Sequence, residues 1–257
     1  MRVIARLLFA AVALLMLGST PTQARDWNVI RNSGTIVAVT EGAFYPFNYF
    51  EGPKLTGFEV ELAEALAKKL ALKLEWRVVP FDAQLASIVQ DRFDFAIASH
   101  GFTEERAKTV AFANPHYCTG GQIAAIKGGP LTMAALGGKT VGAALATTYI
   151  DSAKRIPGVR EVKTYKTDPD AFAALKARKV DAWIADKWGI KSTLEKNADS
   201  GVVAGEQVFV ERVSMILRKD NKGLTDQLNR ALAELMKDGT YAALSQKYFK
   251  ADISCRS

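Results

Sequence analysis

Short apolar segments alternate with amphipathic segments along most of the chain. The run Thr35–Thr40 is rich in β-branched residues, which predicts a buried strand. Gly57–Leu70 carries apolar residues at helical spacing with charges on the opposite face, which predicts an amphipathic helix. The pattern after Thr167 predicts a helix with Asp168 as its N-cap and Pro169 in its first turn. The remaining predicted elements are a strand near Leu74–Val79, a helix near Asp82–Gln90, a strand at Phe93–Ala98, strand–helix units beginning at Thr140, Val162 and Val180, and helices at Leu224–Lys237 and Thr240–Phe249. This alternation predicts an α/β fold with parallel strands and crossover helices.

One sequence frame occurs twice. Arg92–Ser99 and Lys179–Asp186 both read basic–apolar–Asp–x–x–Ile–Ala–polar, and each follows a predicted helix. A weaker match joins Thr35–Ala38 to Thr140–Ala143 in the same order. The two matches together predict two similar α/β lobes in tandem.

The first 24 residues have the pattern of a secretory signal peptide. Arg2 and Arg6 precede the apolar segment Leu7–Gly18, which is too short to span a bilayer, and small residues at Thr22 and Ala24 mark a cleavage site. We therefore assign 1–24 to a signal peptide and expect an exported, soluble mature chain. The absence of a cysteine near the cleavage site argues against a lipid-anchored N-terminus.

Composition narrows the functional class only slightly. The 257 residues are 49% hydrophobic and 24% charged, which excludes a disordered, collagen-like or disulfide-dense chain. The net charge of +7 comes from basic residues that are interleaved with acids, so we expect a solvated surface and no nucleic-acid partner.

The two cysteines, Cys118 and Cys255, both follow the predicted cleavage site. Two thiols in an oxidising compartment often pair, so we predict a disulfide between them. The alternative is two unpaired thiols, one buried and one in a frayed C-terminal tail.

Polar residues follow the predicted parallel strands, where ligands bind in α/β sheets. Glu41, Ser99, Thr147 and Asp186 lie at four such strand ends, and Arg106 lies on the next helix after Ser99. An arginine fork near helix N-termini suits a carboxylate, and an opposing carboxylate suits an ammonium. Taken singly, Glu41 and Asp186 are better explained by helix capping or surface pairing, and Arg106 by a salt bridge on its helix face. Together they predict a site for a zwitterion, of which an α-amino acid is the simplest example.

Aromatic residues are concentrated in Phe44–Phe50, directly after the first predicted strand. We expect this aromatic segment to form one wall of the ligand site and Phe81 a second wall. Phe47 and at least one of Tyr49 and Phe50 are expected in the core.

Catalytic and metal-binding motifs are missing from the sequence. It contains no HExxH, CxxC or GxSxG motif, and only two histidines. Gly138-Lys139-Thr140 resembles the end of a P-loop, but it precedes a strand and lacks the earlier glycine. We therefore predict no cofactor, no metal site and no catalytic residue.

A series of motifs across nearly the whole mature chain resembles the periplasmic solute-binding proteins of polar amino-acid ABC importers (bacterial extracellular solute-binding proteins, family 3). The motifs that carry this resemblance are Tyr45-Pro46-Phe47, Gly57–Ala63, Phe93-Asp94, Thr103–Lys108, Phe112–Tyr117, Leu136–Gly142, Lys179–Ala182 and Asp238–Tyr241. The resemblance implies a type II two-lobe clamshell, with a mostly parallel sheet flanked by helices in each lobe and two crossover hinge strands. It places lobe 1 at 25–117 plus 213–257 and lobe 2 at 118–212.

The resemblance also implies a role for each candidate residue. Arg106 binds the ligand carboxylate, helped by Thr147 and the backbone near Ser99, and Asp186 binds the ammonium. The side chain of the ligand lies between two rings, with a carboxylate near its distal end. Phe44 and Phe81 supply the two rings, and Glu41 supplies the carboxylate.

Two positions depart from the family pattern at the carboxylate and ammonium end of the site. Gly101 stands where the family usually has Ser or Thr, and Ala146 stands where it usually has Gly before Thr147. The ligand is therefore expected to be an amino acid, with these two departures affecting how its polar end is held.

The function implied is a periplasmic receptor that delivers an amino acid to the membrane permease of an ABC importer, as a monomer. A second hypothesis is an enzyme, because the same fold resembles periplasmic cyclohexadienyl dehydratases that act on prephenate or arogenate. A third is a ligand-sensing module, although those modules are normally fused to a membrane segment.

Overall fold

The computed structural model describes residues 25–255, so the predicted signal peptide lies outside the described residues. The elements of the first half are α1 (Trp27–Ser33), β1 (Thr35–Thr40), β2 (Ala43–Phe44), β3 (Asn48–Glu51), β4 (Lys54–Thr56), α2 (Phe58–Lys69), β5 (Lys73–Val78), α3 (Phe81–Val89), β6 (Phe95–Gly101), α4 (Glu104–Ala107), β7 (Val110–Phe112) and β8 (Tyr117–Thr119). The second half contains β9 (Gly121–Ile126), a 3₁₀ turn (Ala134–Leu136), β10 (Thr140–Ala144), α5 (Thr148–Arg155), β11 (Glu161–Tyr165), α6 (Asp168–Lys176), β12 (Ala182–Asp186), α7 (Lys187–Lys196), β13 (Val202–Gln207), β14 (Glu211–Arg218), α8 (Lys222–Lys237) and α9 (Thr240–Phe249).

Two main sheets organise these elements. The first has the order β5-β1-β6-β14-β7, with β8 paired to β14, and its β5, β1 and β6 are parallel. The second has the order β11-β10-β12-β9-β13, and its β11, β10 and β12 are parallel. In each sheet the parallel strands are extended by antiparallel ones. This two-lobe α/β architecture is the one expected from the sequence; lobe 1 denotes the body around the first sheet and lobe 2 the body around the second.

The sequence pattern that occurs twice makes the same pair of hydrogen bonds in each lobe. The Asp94 carboxylate accepts a hydrogen bond from the N–H of Val37 (2.7 Å), and its own N–H donates to the carbonyl of Val37 (3.0 Å). Asp181 makes the same two bonds to Thr140, both at 2.8 Å. Each aspartate therefore ties the start of one parallel strand to a neighbouring strand.

Apolar helix faces cover the sheets and form the cores. In α2, Phe58, Leu62 and Leu66 are fully buried and pack in lobe 1 together with residues of α8 and α9. Lobe 2 has two apolar clusters, one containing Ile184 and the other Trp183. Burial of these faces supplies most of the stability of the helices, as is usual in proteins.

Three local predictions were wrong. Helix α6 is capped by Thr167, whose hydroxyl accepts the N–H of Asp170, and Asp168 is already helical. Strand β6 extends beyond Ser99 to Gly101, because β14 pairs with its end through Val213. Tyr49 and Phe50 are not core residues, whereas Phe47 is fully buried as predicted.

The chain passes between the lobes twice, and the two passages run side by side. Strands β8 and β14 pair through Glu211–Thr119, Arg212–Cys118 and Val213–Tyr117. The predicted disulfide joins Cys118 to Cys255, so the C-terminal tail is bonded to this hinge region. The exact lobe boundaries at 117/118 and 212/213 stay a prediction. Among the described residues, none of the helices has the length and apolarity needed to cross a membrane.

Candidate functional site

A narrow cavity lies between the lobes, beyond the carboxyl ends of the parallel strands. It holds only about 20 Å³ of free space, roughly enough for one water molecule. Its walls come from both lobes: Glu41, Phe44, Phe81, Ala98, Ser99 and Arg106 from lobe 1, and Ala144, Leu145, Thr147, Thr148, Tyr149, Lys166 and Asp168 from lobe 2. The cleft is therefore closed in this conformation, and the lobes must separate to admit an amino acid.

The structure brings most of the predicted site residues to this cavity. The six that line it are Glu41, Phe44, Phe81, Ser99, Arg106 and Thr147. Gly101 and Asp186 lie just behind the wall, because the Gly101 carbonyl accepts from Arg106 and the Asp186 carboxylate accepts from Tyr149. The residues that follow the parallel strands therefore meet at one cavity, and their role in ligand binding stays a prediction.

Arg106 joins the two lobes. It lies on α4, which Thr103 caps by accepting the N–H of Arg106. The guanidinium donates to the carbonyl of Gly101 at 2.7 Å and, across the cleft, to the carbonyl of Ala146 at 2.8 Å. Its central carbon lies 5.7 Å from the centre of the Phe81 ring, so a cation–π contact also orients it.

Burial lowers the pKa of Arg106, but arginine starts so far above neutrality that it stays charged. With one N–H bond in each lobe, the group is held in the cavity wall as a fixed cation. Such a group can bind a carboxylate.

Asp186 ends β12 and caps α7. One carboxylate oxygen accepts the N–H groups of Trp188 (2.7 Å) and Gly189 (2.9 Å), and the other accepts the hydroxyl of Tyr149 (3.3 Å). Burial raises the pKa of Asp186 to about 6, although the hydrogen bonds it accepts act in the opposite direction. At neutral pH the group is therefore mainly an anion, held by its helix.

Ser99 is held in a left-handed backbone conformation (φ 60°) by a buried glutamate. The carboxylate of Glu59 accepts both the N–H (2.7 Å) and the hydroxyl (3.0 Å) of Ser99, and it also contacts Asn48 and His116. Sequence reasoning missed this role of Glu59. The signal was present, because Glu59 stands three and four residues before Leu62 and Ala63 and so belongs to the buried face of α2.

Thr147 caps α5, so its hydroxyl is committed to the helix terminus. It donates to the carbonyl of Ala144 at 2.7 Å and accepts the N–H of Ile150 at 3.4 Å. The preceding residue, Ala146, has a φ of 60°, a left-handed conformation that glycine adopts more easily. This conformation directs the Ala146 carbonyl to Arg106, so the departure from glycine preserves the turn.

Two aromatic rings of lobe 1 line the wall. Phe44 stacks on Phe47 with ring centres 5.0 Å apart, which connects the wall to the core of lobe 1. Phe81 stacks on His100 at 4.6 Å, and the ring of His100 is in turn hydrogen-bonded to Gln84. Both rings are therefore fixed before any ligand arrives.

The far end of the cavity is acidic. Burial, with the nearby charge of Asp168 as the next cause, raises the pKa of Glu41 to about 8. Burial raises the pKa of Asp168 to about 7, although Trp183 donates a hydrogen bond to it at 3.0 Å. Because Thr167 takes the capping role, the carboxylate of Asp168 is free to face Glu41 across the cleft. Sequence reasoning had assigned Asp168 only to capping.

The described residues contain no group of three or more histidine, cysteine, aspartate and glutamate side chains arranged to hold a metal ion.

A family model confirms the resemblance seen in the sequence. Residues 36–251 match the model described as bacterial extracellular solute-binding proteins, family 3. The chain belongs to this family. Its two-lobe fold is the fold of type II binding proteins in that family, and its relatives are amino-acid-binding proteins.

Individual relatives and solved structures agree with this assignment. The L-cystine-binding protein TcyJ of Escherichia coli (strain K12) is 36% identical over 233 residues, which cover 88% of this chain and 87% of the relative. An ancestral arginine-binding protein bound to arginine superposes with a TM-score of 0.80 at 34% identity, covering 84% of this chain and 98% of that one. The ancestral amino-acid-binding protein AncCDT-1, a precursor of cyclohexadienyl dehydratase, superposes with a TM-score of 0.79 at 27% identity, covering 86% and 98%.

Proposed function

We propose that this protein is a periplasmic receptor that captures an amino acid between its lobes and delivers it to the permease of an ABC importer. The observation that carries this proposal is the fixed guanidinium of Arg106 in a cavity built from both lobes. A ligand carboxylate bound there would contact lobe 1 and lobe 2 at once, so its binding favours closure. The protein is proposed to act as a monomer, exported through its N-terminal signal peptide.

The amino acid is proposed to bind with its carboxylate on Arg106, beside Ser99 and Thr147, whose hydroxyls are already bonded to Glu59 and to the carbonyl of Ala144. Its ammonium group binds the carboxylate of Asp186 and replaces the hydroxyl of Tyr149 as the hydrogen-bond donor. This exchange is favourable because a charged donor to a carboxylate makes a stronger hydrogen bond than a neutral one. The ligand side chain then passes between Phe44 and Phe81.

The distal end of the ligand is proposed to carry a cation. Burial is the main reason that the pKa of Glu41 is about 8 and that of Asp168 about 7, and the charges of Asp168 and Asp186, respectively, raise these pKa values further. Near neutral pH, Glu41 is therefore mainly protonated and Asp168 partly protonated. A cationic group between them allows both to ionise, which a neutral side chain does not. The solved structure of an ancestral arginine-binding protein bound to arginine, a ligand with a distal cation, supports this choice.

A second candidate is a dehydratase on the same fold. A buried acid that keeps its proton at neutral pH suits general acid catalysis, and Glu41, with a pKa of about 8, has this property. The similarity to AncCDT-1, a precursor of such an enzyme, also favours it. Incubation with prephenate separates the candidates, because only the enzyme produces the absorbance of phenylpyruvate.

A thermal-shift panel of the twenty amino acids and related cations tests the receptor. A ligand at 100 times its Kd stabilises the fold by about 2.7 kcal/mol, which raises the Tm measurably. We expect amino acids with a distal cation to give the largest shifts. Failure of every amino acid to shift the Tm refutes the proposal.

A further inference from the structure

Glu211 is a buried carboxylate at the junction of the lobes, and the sequence pattern did not single it out. It begins β14, pairs with Thr119 of β8, and is only 8% exposed. Its carboxylate accepts the hydroxyl of Thr148 at 2.8 Å and is also hydrogen-bonded to the hydroxyl of Tyr149. Both hydroxyls lie in the first turn of α5 in lobe 2, and that of Tyr149 donates its proton to Asp186.

Gly101 gives this carboxylate its space. A β-carbon at position 101 would lie 2.0 Å from the Oε2 atom of Glu211 and 2.9 Å from its Cδ atom. The backbone of Gly101 is not left-handed, so glycine is not needed there for conformation. The missing side chain therefore serves to admit the carboxyl group of Glu211.

The carboxyl group of Glu211 lies where the two lobes meet, because it fills the space beside Gly101 of lobe 1 and accepts the hydroxyl of Thr148 in lobe 2. Glu211 extends from a strand of the first sheet, whereas Thr148 begins a helix that packs on the second sheet. Thr148 borders both the narrow ligand cavity and a wide hinge-side groove of about 830 Å³, and Glu211 borders the groove. The pair therefore stands between the ligand cavity and the groove.

We propose that Glu211 and Thr148 form a latch between the hinge strand β14 and helix α5 of lobe 2, made possible by the space at Gly101 of lobe 1, that holds the cleft closed around its ligand. Glu211 is thus a positioning residue for ligand retention. The inference rests on the proposed receptor function, because a latch matters only if closure retains a ligand. Apparent affinity scales with the population of the closed form, so loss of the latch weakens binding.

The expected change in ligand affinity follows from the hydrogen bond between Thr148 and Glu211. Burial raises the pKa of Glu211 to about 7, so its bond to Thr148 is a bond to a charged group at pH 8, where the experiments are run. At that pH, loss of a hydrogen bond to a charged group changes an equilibrium by about ten- to a hundredfold. We expect the loss of affinity to result from faster dissociation of the ligand, since a latch acts after the ligand has entered. The association rate should change little.

A double-mutant cycle tests the latch. Glu211→Ala and Thr148→Val each remove one partner, and each is expected to release L-arginine, the amino acid used as probe, about ten- to a hundredfold faster. The double variant should be no worse than either single variant, because both remove the same bond. Thr148→Ser keeps the hydroxyl and Glu211→Gln keeps an acceptor oxygen, so both should largely retain slow release.

A substitution at Gly101 provides an independent test of the latch. Gly101→Ala should accelerate release in the wild-type background, because its β-carbon displaces the Glu211 carboxylate, but not in the Glu211→Ala background. Gly137→Ala is the matched control, since its β-carbon meets only one atom at 3.8 Å. Additive losses, or wild-type release from Glu211→Ala, overturn the latch.

The same double-mutant cycle is also measured by thermal unfolding of the ligand-free protein. The coupling between Thr148 and Glu211 should make the decreases in Tm non-additive there as well. A wild-type protein that binds no amino acid refutes the receptor function alone. In that case additive Tm losses still overturn the latch.

Discussion

Replacement of Arg106 by alanine is the sharpest test of how the ligand is held. The change removes the guanidinium that bonds Gly101 and, across the cleft, Ala146. Truncation of one member of a buried, hydrogen-bonded charge pair costs roughly 2–5 kcal/mol, because the other charge is left unpaired. That corresponds to about 30- to 4,000-fold in affinity.

The interlobe bond shifts the expectation to the upper part of this range. Loss of the hydrogen bond to Ala146 removes about 1 kcal/mol more from the closed form, in which the ligand is retained. We therefore expect Arg106→Ala to weaken binding by at least about a hundredfold. Arg106→Lys keeps the charge but loses the two-pronged geometry, so its loss should be intermediate.

Calorimetry with the ligand found in the thermal-shift panel measures these affinities. The matched control is Arg77→Ala, since Arg77 lies on a strand of the same lobe with a half-exposed side chain paired to Glu75. The Tm of unliganded Arg106→Ala should stay near that of the wild type. Wild-type affinity in Arg106→Ala would mean that the carboxylate assignment is wrong, and the zwitterion argument would fail with it.

Three further predictions concern the acidic groups and the disulfide. Asp186→Asn should abolish ligand-induced stabilisation in the thermal-shift assay while the amide oxygen still caps α7; an unchanged shift contradicts the ammonium assignment. Glu41→Gln should change which amino acid binds, and it should also unfold at a higher Tm than the wild type at pH 8. The pKa of Glu41 rises from 4.5 to about 8 on folding, so wild-type stability falls between these pH values by at most about 5 kcal/mol, and the advantage of the variant vanishes below pH 4.5. The double variant Cys118→Ser/Cys255→Ser should lose up to about 5 kcal/mol in urea unfolding, because the bridge closes a loop spanning 137 positions; an unchanged midpoint contradicts this.

The general location of the site was predictable because it depends on strand ends. Parallel strands in one sheet present their carboxyl ends on the same side, so Glu41 and Ser99 could be placed together from their positions after apolar runs. The repeated aspartate frame was equally informative, since Asp94 and Asp181 make the same backbone tether in their respective lobes.

Residues whose role depends on a contact distant in sequence were missed. Asp168 faces Glu41 only because Thr167 takes the cap, and both residues suit the capping position in the sequence. The carboxyl group of Glu211 enters the interlobe junction because a glycine 110 positions earlier leaves space for it. Side-chain competition and long-range packing of this kind leave no periodic signal.

The disulfide also decides how the molecule responds to mechanical force. Lobe 2 and the last two helices lie between Cys118 and Cys255, so they belong to one covalent ring. A pull applied at the two ends of the mature chain passes directly across the sulfur–sulfur bond and leaves the ring unloaded. Extension then stops short by about 470 Å, the contour length of the shielded residues. Under tension only the segment before Cys118 can be drawn out, and lobe 2 keeps its fold until the bridge is reduced.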